Sequence, residues 1–168
     1  MVPVDRDQEL ADIAEAMDPD YKLMVWIAAL TSLRWEECAG LRVRDFDLEL
    51  RTVTVSQTVI RGGKGVGPVT SDPKSVTSGR LIPLPTELMS MVEAFIDAWG
   101  LEDDALMFPD ASGGPMCDRW FRSRRWYPAL KVVGLFDVKP YRPGFHDLRR
   151  AFSTAAVRRS VDPTTLQV

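Results

Sequence analysis

The alternation of apolar and polar positions in the first third of the chain predicts helices. Acidic and apolar residues recur at helical spacing over residues 7–17, and the segment 18–20 (DPD) interrupts that pattern. Residues 21–33 (YKLMVWIAALTSL) are largely apolar, which indicates a buried helix. A short helix is expected at residues 36–41, and Gly40 is a candidate for the residue that ends it.

The middle of the chain changes to a pattern that is typical of strands. Residues 51–60 (RTVTVSQTVI) are rich in Val and Thr and alternate with a period of two, and residues 79–84 (GRLIPL) form a second such run. Residues 61–68 (RGGKGVGP) contain four glycines, which predicts a loop or the tip of a hairpin. This run lacks the spacing and the Gly-Lys-Ser/Thr sequence of a phosphate-binding loop, so a nucleotide site is not favoured. A helix is expected next, with Thr86 as its N-cap.

The last third of the chain predicts helices again. Residues 101–116 are typical of a loop, and a helix is expected from residue 118 to residue 133. Residues 137–145 contain two prolines and are expected to be irregular, after which a helix is expected from His146 to about residue 159. The order of helices, a small antiparallel sheet and more helices predicts an α+β fold, mostly helical, in one domain spanning residues 1–168.

Composition is that of a soluble globular chain. Hydrophobic residues make up 45% of the 168 residues and charged residues 27%. No apolar run approaches the roughly 18 residues that cross a membrane, and the polar, acidic start has no features of a secretion signal. We therefore expect a cytoplasmic protein in which Cys38 and Cys117 are reduced thiols. The single histidine, His146, argues against a histidine-rich metal site.

The net charge of −3 hides an uneven distribution along the chain. Residues 1–118 carry 10 Lys and Arg against 21 Asp and Glu, whereas residues 119–159 carry 11 Lys and Arg against two Asp. A basic segment on an acidic chain is a candidate face for binding a polyanion. Solvated helices with exposed arginines would give the same pattern, so charge alone leaves both interpretations open.

Three short segments contain residues that are suited to binding a phosphate. Arg34 follows the most apolar helix, and Glu37 lies three residues later, within reach of it on a helical backbone. Lys74 lies between two predicted strands, from which it can project freely. His146 and Arg149 share one face of the last predicted helix, because they are three residues apart. Each segment alone also has an ordinary structural explanation: an Arg–Glu ion pair, a surface lysine and a capped helix start.

Together and in this order, the three segments resemble the motifs of the tyrosine recombinase (phage integrase) family. That family has an arginine in a Thr-Gly-Leu-Arg-x-x-Glu context, a hairpin lysine before Ser-x-Arg-x-Ile-Pro-Leu, and a His-Asp-Leu-Arg motif. The matching residues are Arg34 with Glu37, Lys74 with Arg80, and His146 with Arg149. The resemblance covers residues 8–168 and implies a catalytic domain that breaks and rejoins DNA.

The sequence departs from the family pattern at several positions. Ser32 stands where the family usually has glycine, Glu36 where a small residue is common, and Arg150 where histidine is frequent. The family's Leu-Gly-His-like motif and its nucleophilic tyrosine both follow the His-x-x-Arg helix, so we expect a truncated domain whose nucleophile lies beyond Val168. Tyr141 is not expected to replace that nucleophile, since the prolines around it indicate a structural loop.

The resemblance implies a reaction that needs no metal, ATP or other cofactor. A tyrosine hydroxyl attacks a DNA phosphodiester, a 3′-phosphotyrosine forms and a 5′-hydroxyl leaves. Arg34 and Arg149 would bind the two non-bridging oxygens, because planar guanidinium groups match that geometry. Lys74 would protonate the leaving oxygen with help from His146, and Glu37 would orient Arg34.

The implied partner is double-stranded DNA at attachment sites. Arginines of the basic segment, together with one from the second motif, would contact backbone phosphates, which adds affinity and salt dependence but little sequence choice. These candidate DNA-binding residues are Arg80, Arg119, Arg122, Arg124, Arg125, Arg142 and Arg150. Full-length family members act as tetramers on paired sites. This chain is expected to be monomeric, since the C-terminal helix that links family members is missing.

Three functions stay open at this point. The chain is part of a working site-specific integrase, or a catalytically inactive DNA-binding remnant such as one from a decayed prophage gene, or a structural or protein-binding domain whose arginines form surface ion pairs. The first two predict weak, salt-sensitive DNA binding, and no strand cleavage by the isolated chain. The third predicts no affinity for nucleic acid and leaves the ordered motifs unexplained.

Overall fold

Six α-helices lie in the part of the chain that the computed structural model describes, residues 7–72, 79–140 and 142–150. They are α1 (Asp7–Ala16), α2 (Pro19–Thr31), α3 (Trp35–Gly40), α4 (Thr86–Trp99), α5 (Asp118–Phe121) and α6 (Tyr127–Val132). A π-helical turn at Arg122–Trp126 separates α5 from α6. The 3₁₀ turns are at Val43–Asp45 and Phe145–Asp147, and residues 148–150 are helical. None of the helices in these ranges has the length and apolar character needed to cross a membrane.

Two small antiparallel sheets occur in the described residues. Their strands are β1 (Phe46–Asp47), β2 (Thr52–Thr54), β3 (Thr58–Ile60), β4 (Val69–Ser71) and β5 (Leu81–Pro83). The first sheet has the strand order β1-β2-β5, and the second consists of β3 and β4. Val53 of β2 lies opposite Phe46 on one side and Ile82 on the other. The α+β fold that the sequence predicts is therefore confirmed.

The chain divides into two compact units. Unit 1 consists of residues 1–34 and 122–168, and unit 2 consists of residues 35–121. Unit 1 is built from two segments that are far apart in sequence, whereas unit 2 is continuous. The single domain expected over residues 1–168 stays a prediction.

The core of unit 1 forms where α1 packs against α2 and α6. Ile13 of α1, Ile27 of α2 and Leu130 of α6 are fully buried. Pro19 begins α2 with a preset φ, and Asp20 in the first turn interacts favourably with the helix dipole. Buried residues cover most of the circumference of α2, as its apolar sequence predicts.

In unit 2, the short helix α3 packs directly on the second sheet. A Cβ added to its last residue, Gly40, would lie 2.9 Å from the carbonyl oxygen of Gln57 in the neighbouring backbone. The side-chain amide of Gln57 donates a hydrogen bond to the Gly40 carbonyl at 2.8 Å. Glycine is required at this close approach, and it lets α3, which carries Glu37, lie against β3 at backbone distance.

The single strand predicted at residues 51–60 is wrong in part, because it is interrupted. Its two ends are β2 and β3, which belong to different sheets. Between them Ser56 Oγ donates to the carboxylate of Asp45 at 2.5 Å, and Gln57 bonds to Gly40. These bonds divert the chain from one sheet to the other. The hairpin predicted around residues 61–68 is confirmed, since β3 and β4 pair on either side of it.

Two helix predictions also change. Thr86 does not cap α4: Pro85 precedes the helix, and the hydroxyl of Thr86 accepts a hydrogen bond from Arg51 at 2.7 Å. The helix predicted from residue 118 to residue 133 is present, but the π-helical turn interrupts it. A π turn uses i→i+5 hydrogen bonds, so side chains beyond it point in directions that a regular 3.6-residue period does not predict.

Candidate active site

Arg34 lies on a sharp corner at the end of α2. Thr31 donates its hydroxyl to the carbonyl of Ile27 at 2.6 Å, and Ser32 then adopts the left-handed conformation with φ 59° and ψ 23°. Leu33 is fully buried, and Arg34 is exposed immediately after it. The buried leucine fixes the corner in the core of unit 1, so the arginine that follows faces solvent.

Arg149 reaches the same corner from the other segment of unit 1. Its Nε donates a hydrogen bond to Ser32 Oγ at 3.3 Å, across a separation of 117 residues. Arg149 is half-buried, whereas His146, which precedes it by three residues, is exposed. The corner with Arg34 and the segment with Arg149 are therefore neighbours within one unit.

The segment that carries His146 and Arg149 is locked at its start. The buried carboxylate of Asp147 accepts a hydrogen bond from the backbone N–H of Gly144 at 2.7 Å, which closes the 3₁₀ turn. Trp126 is buried, and its indole N–H donates to the carbonyl of Pro143 at 3.0 Å. Its ring meets Phe145 edge-on, with 5.5 Å between ring centroids. Unit 1 thus holds this segment by both hydrogen bonding and packing.

In unit 2, Glu37 and Arg80 form a partly buried ion pair. Arg80 Nη2 donates to Glu37 Oε2 at 3.2 Å, and only 9% of the Glu37 side chain and 20% of the Arg80 side chain are exposed. The pair links α3 to the residue that precedes β5. The expectation that Glu37 orients Arg34 stays a prediction, as does a phosphate contact by Arg80.

Lys74 lies outside the described residues, as do Tyr141 and the part of the last predicted helix beyond residue 150. The strands on either side of the lysine segment are β4 and β5, which belong to different sheets. β4 pairs with β3, and β5 pairs with β2. The two strands that flank Lys74 are therefore not the two strands of one hairpin in the described part of the chain.

The candidate DNA-binding arginines differ in their surroundings. The exposed members are Arg119, Arg122, Arg124, Arg142 and Arg150. Arg125 is half-buried: its Nη1 lies 2.8 Å from Asp18 Oδ2, and its guanidinium lies over the ring of Tyr21. Arg150 Nη1 lies 3.8 Å from Asp147 Oδ1. A carboxylate thus already faces Arg125 and, more distantly, Arg150.

Arg142 and Lys131 lie over the same aromatic ring in unit 1. The guanidinium carbon of Arg142 is 3.6 Å from the centroid of Phe136, and Lys131 Nζ is 4.7 Å from it. Lys131 is a cation that lies outside all three sequence motifs. The only feature of the sequence that points to Lys131 is its place in the basic segment, which contains ten other Lys and Arg residues.

Comparison with known proteins gives one family. A family model described as the phage integrase family matches residues 4–168. Proteins named as the prophage phiRv2 integrase of two Mycobacterium tuberculosis strains, CDC 1551 / Oshkosh and ATCC 25618 / H37Rv, are each 29% identical over 153 residues. The match covers 88% of this chain and 38% of each relative. The chain therefore spans less than two fifths of the length of these curated relatives.

Solved structures share the fold. The Tn1549 transposon integrase in complex with transposon right end DNA has a TM-score of 0.78 at 24% identity, covering 99% of this chain and 56% of that chain. XerA recombinase has a TM-score of 0.68 at 17% identity, covering 96% and 51%. XerH recombinase bound to its difH substrate has a TM-score of 0.59 at 19% identity, covering 96% and 45%.

Proposed function

Because this chain belongs to the phage integrase family, the tyrosine recombinases, we propose that it supplies the phosphate-binding residues of a site-specific DNA recombinase. The proposed substrate is duplex DNA at attachment sites. The single observation that carries the proposal is the hydrogen bond from Arg149 to Ser32, which joins the two arginine motifs within unit 1. The DNA in the Tn1549 integrase and XerH complexes supports the choice of substrate.

Arg34 and Arg149 are the proposed ligands of the phosphate to be cleaved. Negative charge grows on the two non-bridging oxygens as a fifth oxygen approaches phosphorus. A guanidinium is planar and permanently charged, and it donates two parallel hydrogen bonds to such an oxyanion. Losing one preorganised donor of this kind costs about 3 kcal/mol of transition-state stabilisation.

The remaining roles concern proton transfer. We assign Lys74 as the general acid that protonates the leaving 5′ oxygen, and His146 as its assistant or as a hydrogen-bond donor to the phosphate. The exposure of His146 in unit 1 is compatible with contact to a DNA strand. The phosphoester energy passes to the phosphotyrosine bond, so the cycle consumes no ATP.

Neither described tyrosine is assigned as the nucleophile. Tyr21 is 3% exposed and lies beneath the guanidinium of Arg125. Tyr127 packs edge-on against Phe136, with 5.5 Å between ring centroids, and has Arg142 over its ring. The covalent step is therefore proposed for the whole recombinase. Its assembly as a tetramer on paired sites and its action in the cytoplasm belong to the same proposal.

The test is a fluorescence-anisotropy titration of the chain with duplex DNA across a salt series. We compare wild type with the double variant Arg34→Ala/Arg149→Ala. We expect the variant to bind about tenfold or more weakly at low salt. The slope of log K against log salt should flatten by about 0.9 for each phosphate that the variant no longer neutralises.

The matched control removes two positive charges elsewhere. In Lys22→Ala/Arg51→Ala, the lysine is ion-paired with Glu15 and the arginine is bonded to Thr86. If this control weakens binding as much as Arg34→Ala/Arg149→Ala does, the two motif arginines have no special contact with DNA and the proposal fails.

A further inference from the structure

We propose that Lys131 and Arg142 form a second phosphate-binding site, separate from the pair Arg34 and Arg149, and that its ligand is a DNA backbone phosphate. The site, called here the ring–cation site, consists of Tyr127, Lys131, Phe136 and Arg142, all in unit 1. This inference rests on the proposed function, because the phosphate belongs to the same DNA duplex that is the proposed substrate.

Arg142 is held in place by its aromatic neighbours. Its Nε donates a hydrogen bond to the carbonyl of Phe136 at 2.7 Å. Its guanidinium carbon lies 3.6 Å from the Phe136 centroid and 5.0 Å from the Tyr127 centroid. Only one of the five guanidinium N–H groups is used in these contacts. Among the described residues, no acceptor lies within hydrogen-bond distance of the terminal nitrogens, and the side chain is exposed.

The backbone beside Arg142 is fixed as well. The next residue, Pro143, is buried, and its carbonyl accepts the indole N–H of Trp126. A guanidinium that is already held by a hydrogen bond and by ring contacts loses little further rotamer entropy when it binds. The fork of terminal N–H groups also matches two phosphate oxygens at once. Arg142 is therefore preorganised for an anion.

Lys131 brings a second positive charge to the same ring. Its Nζ lies 4.7 Å from the Phe136 centroid, and its side chain is exposed at the end of α6. Neither Lys131 nor Arg142 has a carboxylate within 4.0 Å in the part of the chain that the structure describes. Both positive charges therefore lie at the ring of Phe136.

Arg125 also stacks on an aromatic ring but, unlike Arg142, has a carboxylate partner. Its guanidinium carbon lies 5.3 Å from the centroid of the Tyr21 ring. Its Nη1, however, is 2.8 Å from Asp18 Oδ2, so a carboxylate of the protein already occupies the place of an anionic ligand. The ring–cation site has the same stacking without that carboxylate.

The position of the site favours DNA over other anions. Arg142 lies four residues before His146, in the segment that leads to the proposed reaction centre. Both cations belong to the basic segment 119–159. A guanidinium and an ammonium contact the phosphates of any sequence, so the site adds affinity and orientation but no base choice.

The experiment uses the same anisotropy titration with duplex DNA and a second double variant, Lys131→Gln/Arg142→Gln. We expect about tenfold weaker binding at low salt, and a salt slope that is flatter by about 0.9 for each phosphate no longer neutralised. The matched control is Lys22→Gln/Arg51→Gln. Thermal unfolding of each variant checks that the fold is kept.

Two single variants separate geometry from charge. Arg142→Lys keeps the charge but loses the planar stack and the Nε bond, so it should bind several-fold more weakly than wild type. Phe136→Leu keeps both cations and removes the ring beneath them, so it should weaken binding at an unchanged salt slope. Full wild-type affinity in both variants would overturn the preorganised arrangement.

The outcomes distinguish this inference from the proposed function. If Arg34→Ala/Arg149→Ala weakens binding but Lys131→Gln/Arg142→Gln equals its control, the ring–cation site is overturned and the proposed function stands. If only Lys131→Gln/Arg142→Gln exceeds its control, the site stands and the proposed arginine pair fails. NMR titration with inorganic phosphate at constant ionic strength is the last arm: a shift of the Arg142 Nε–H signal without any effect of the variant on DNA binding overturns DNA as the ligand.

Discussion

Ser32 has a left-handed backbone conformation, which residues with a Cβ rarely adopt. Its φ of 59° ends α2, and its N–H bonds to the carbonyl of Ala28 at 3.1 Å. Glycine adopts this conformation without steric cost, which explains why the related family motif usually has glycine at this position. In exchange, the Ser32 hydroxyl accepts the hydrogen bond from Arg149.

Replacing Ser32 separates these two effects. We expect Ser32→Gly to raise the free energy of unfolding by up to about 1 kcal/mol, because left-handed strain is removed. Ser32→Ala keeps the strain and removes the hydroxyl, so it should be slightly less stable than wild type. Urea denaturation of the three proteins measures both changes. A Ser32→Gly protein less stable than wild type would show that the lost hydroxyl bond outweighs the relieved strain.

At the scale of elements, the pair Glu37 and Arg80 connects α3 to β5 across unit 2. The sequence offers Arg34 as the obvious partner of Glu37, since the two are three residues apart. The structure shows a hydrogen bond from Arg80, which lies 43 residues away in sequence. Because Glu37 is 7% exposed, its charge needs a partner in the folded state.

Removing either charge should therefore destabilise unit 2. We expect Glu37→Gln and Arg80→Gln each to lower the free energy of unfolding by about 1.5–3 kcal/mol, the range for a charged hydrogen bond. The double variant should cost less than the sum of the two single variants, because neither charge is then left alone. Denaturant unfolding of all four proteins completes the cycle. Strict additivity would mean that the two side chains contribute independently.

At the scale of the whole molecule, unit 1 depends on contacts between its two distant segments. α6 packs against α1, and Arg149 bonds to Ser32. Trp126 is central to the second of these segments, since it is 1% exposed and contacts both Pro143 and Phe145. Unit 1 also contains nearly all of the basic segment 119–159, so most of the positive charge of that segment lies in one unit.

Two substitutions of Trp126 test its role. Trp126→Ala should lower the free energy of unfolding by about 3–5 kcal/mol, the usual cost of a cavity left by a large aromatic residue. Trp126→Phe keeps most of the packing and loses the bond to Pro143, so it should cost about 1 kcal/mol and also weaken DNA binding several-fold. Wild-type DNA affinity in Trp126→Phe would show that this bond does not order the segment around Arg142 and His146.

Local sequence predicts well wherever a residue's neighbours along the chain decide its structure. The apolar run of α2, the hairpin tip at residues 61–68 and the α+β order of elements follow from periodicity and glycine content. The resemblance to tyrosine recombinases, carried by Arg34, Lys74, His146 and Arg149, is confirmed at the level of the family. The roles of these four residues stay predictions.

The failures at the strand and at the N-cap share one physical cause, which is bonding to residues outside the local segment. The strand at residues 51–60 divides because Ser56 bonds to Asp45 and Gln57 to Gly40. The N-cap is not Thr86, because its hydroxyl is taken by Arg51. Period-two alternation and capping preference depend only on neighbouring residues, so neither signal indicates these more distant hydrogen-bond partners.

The sequence by itself determined which charged groups this protein carries and how they are spaced: a permanently charged arginine after an apolar run, a His-x-x-Arg pair and a basic segment on an acidic chain. These are properties of side chains and of their spacing, which no folding changes. Only the tertiary structure decided which cations face a carboxylate and which face solvent, as Arg125 and Arg142 illustrate. Whether a cation has a carboxylate partner depends on which distant segments pack together. Packing sets the distance between the two charges, and their interaction energy falls as that distance grows.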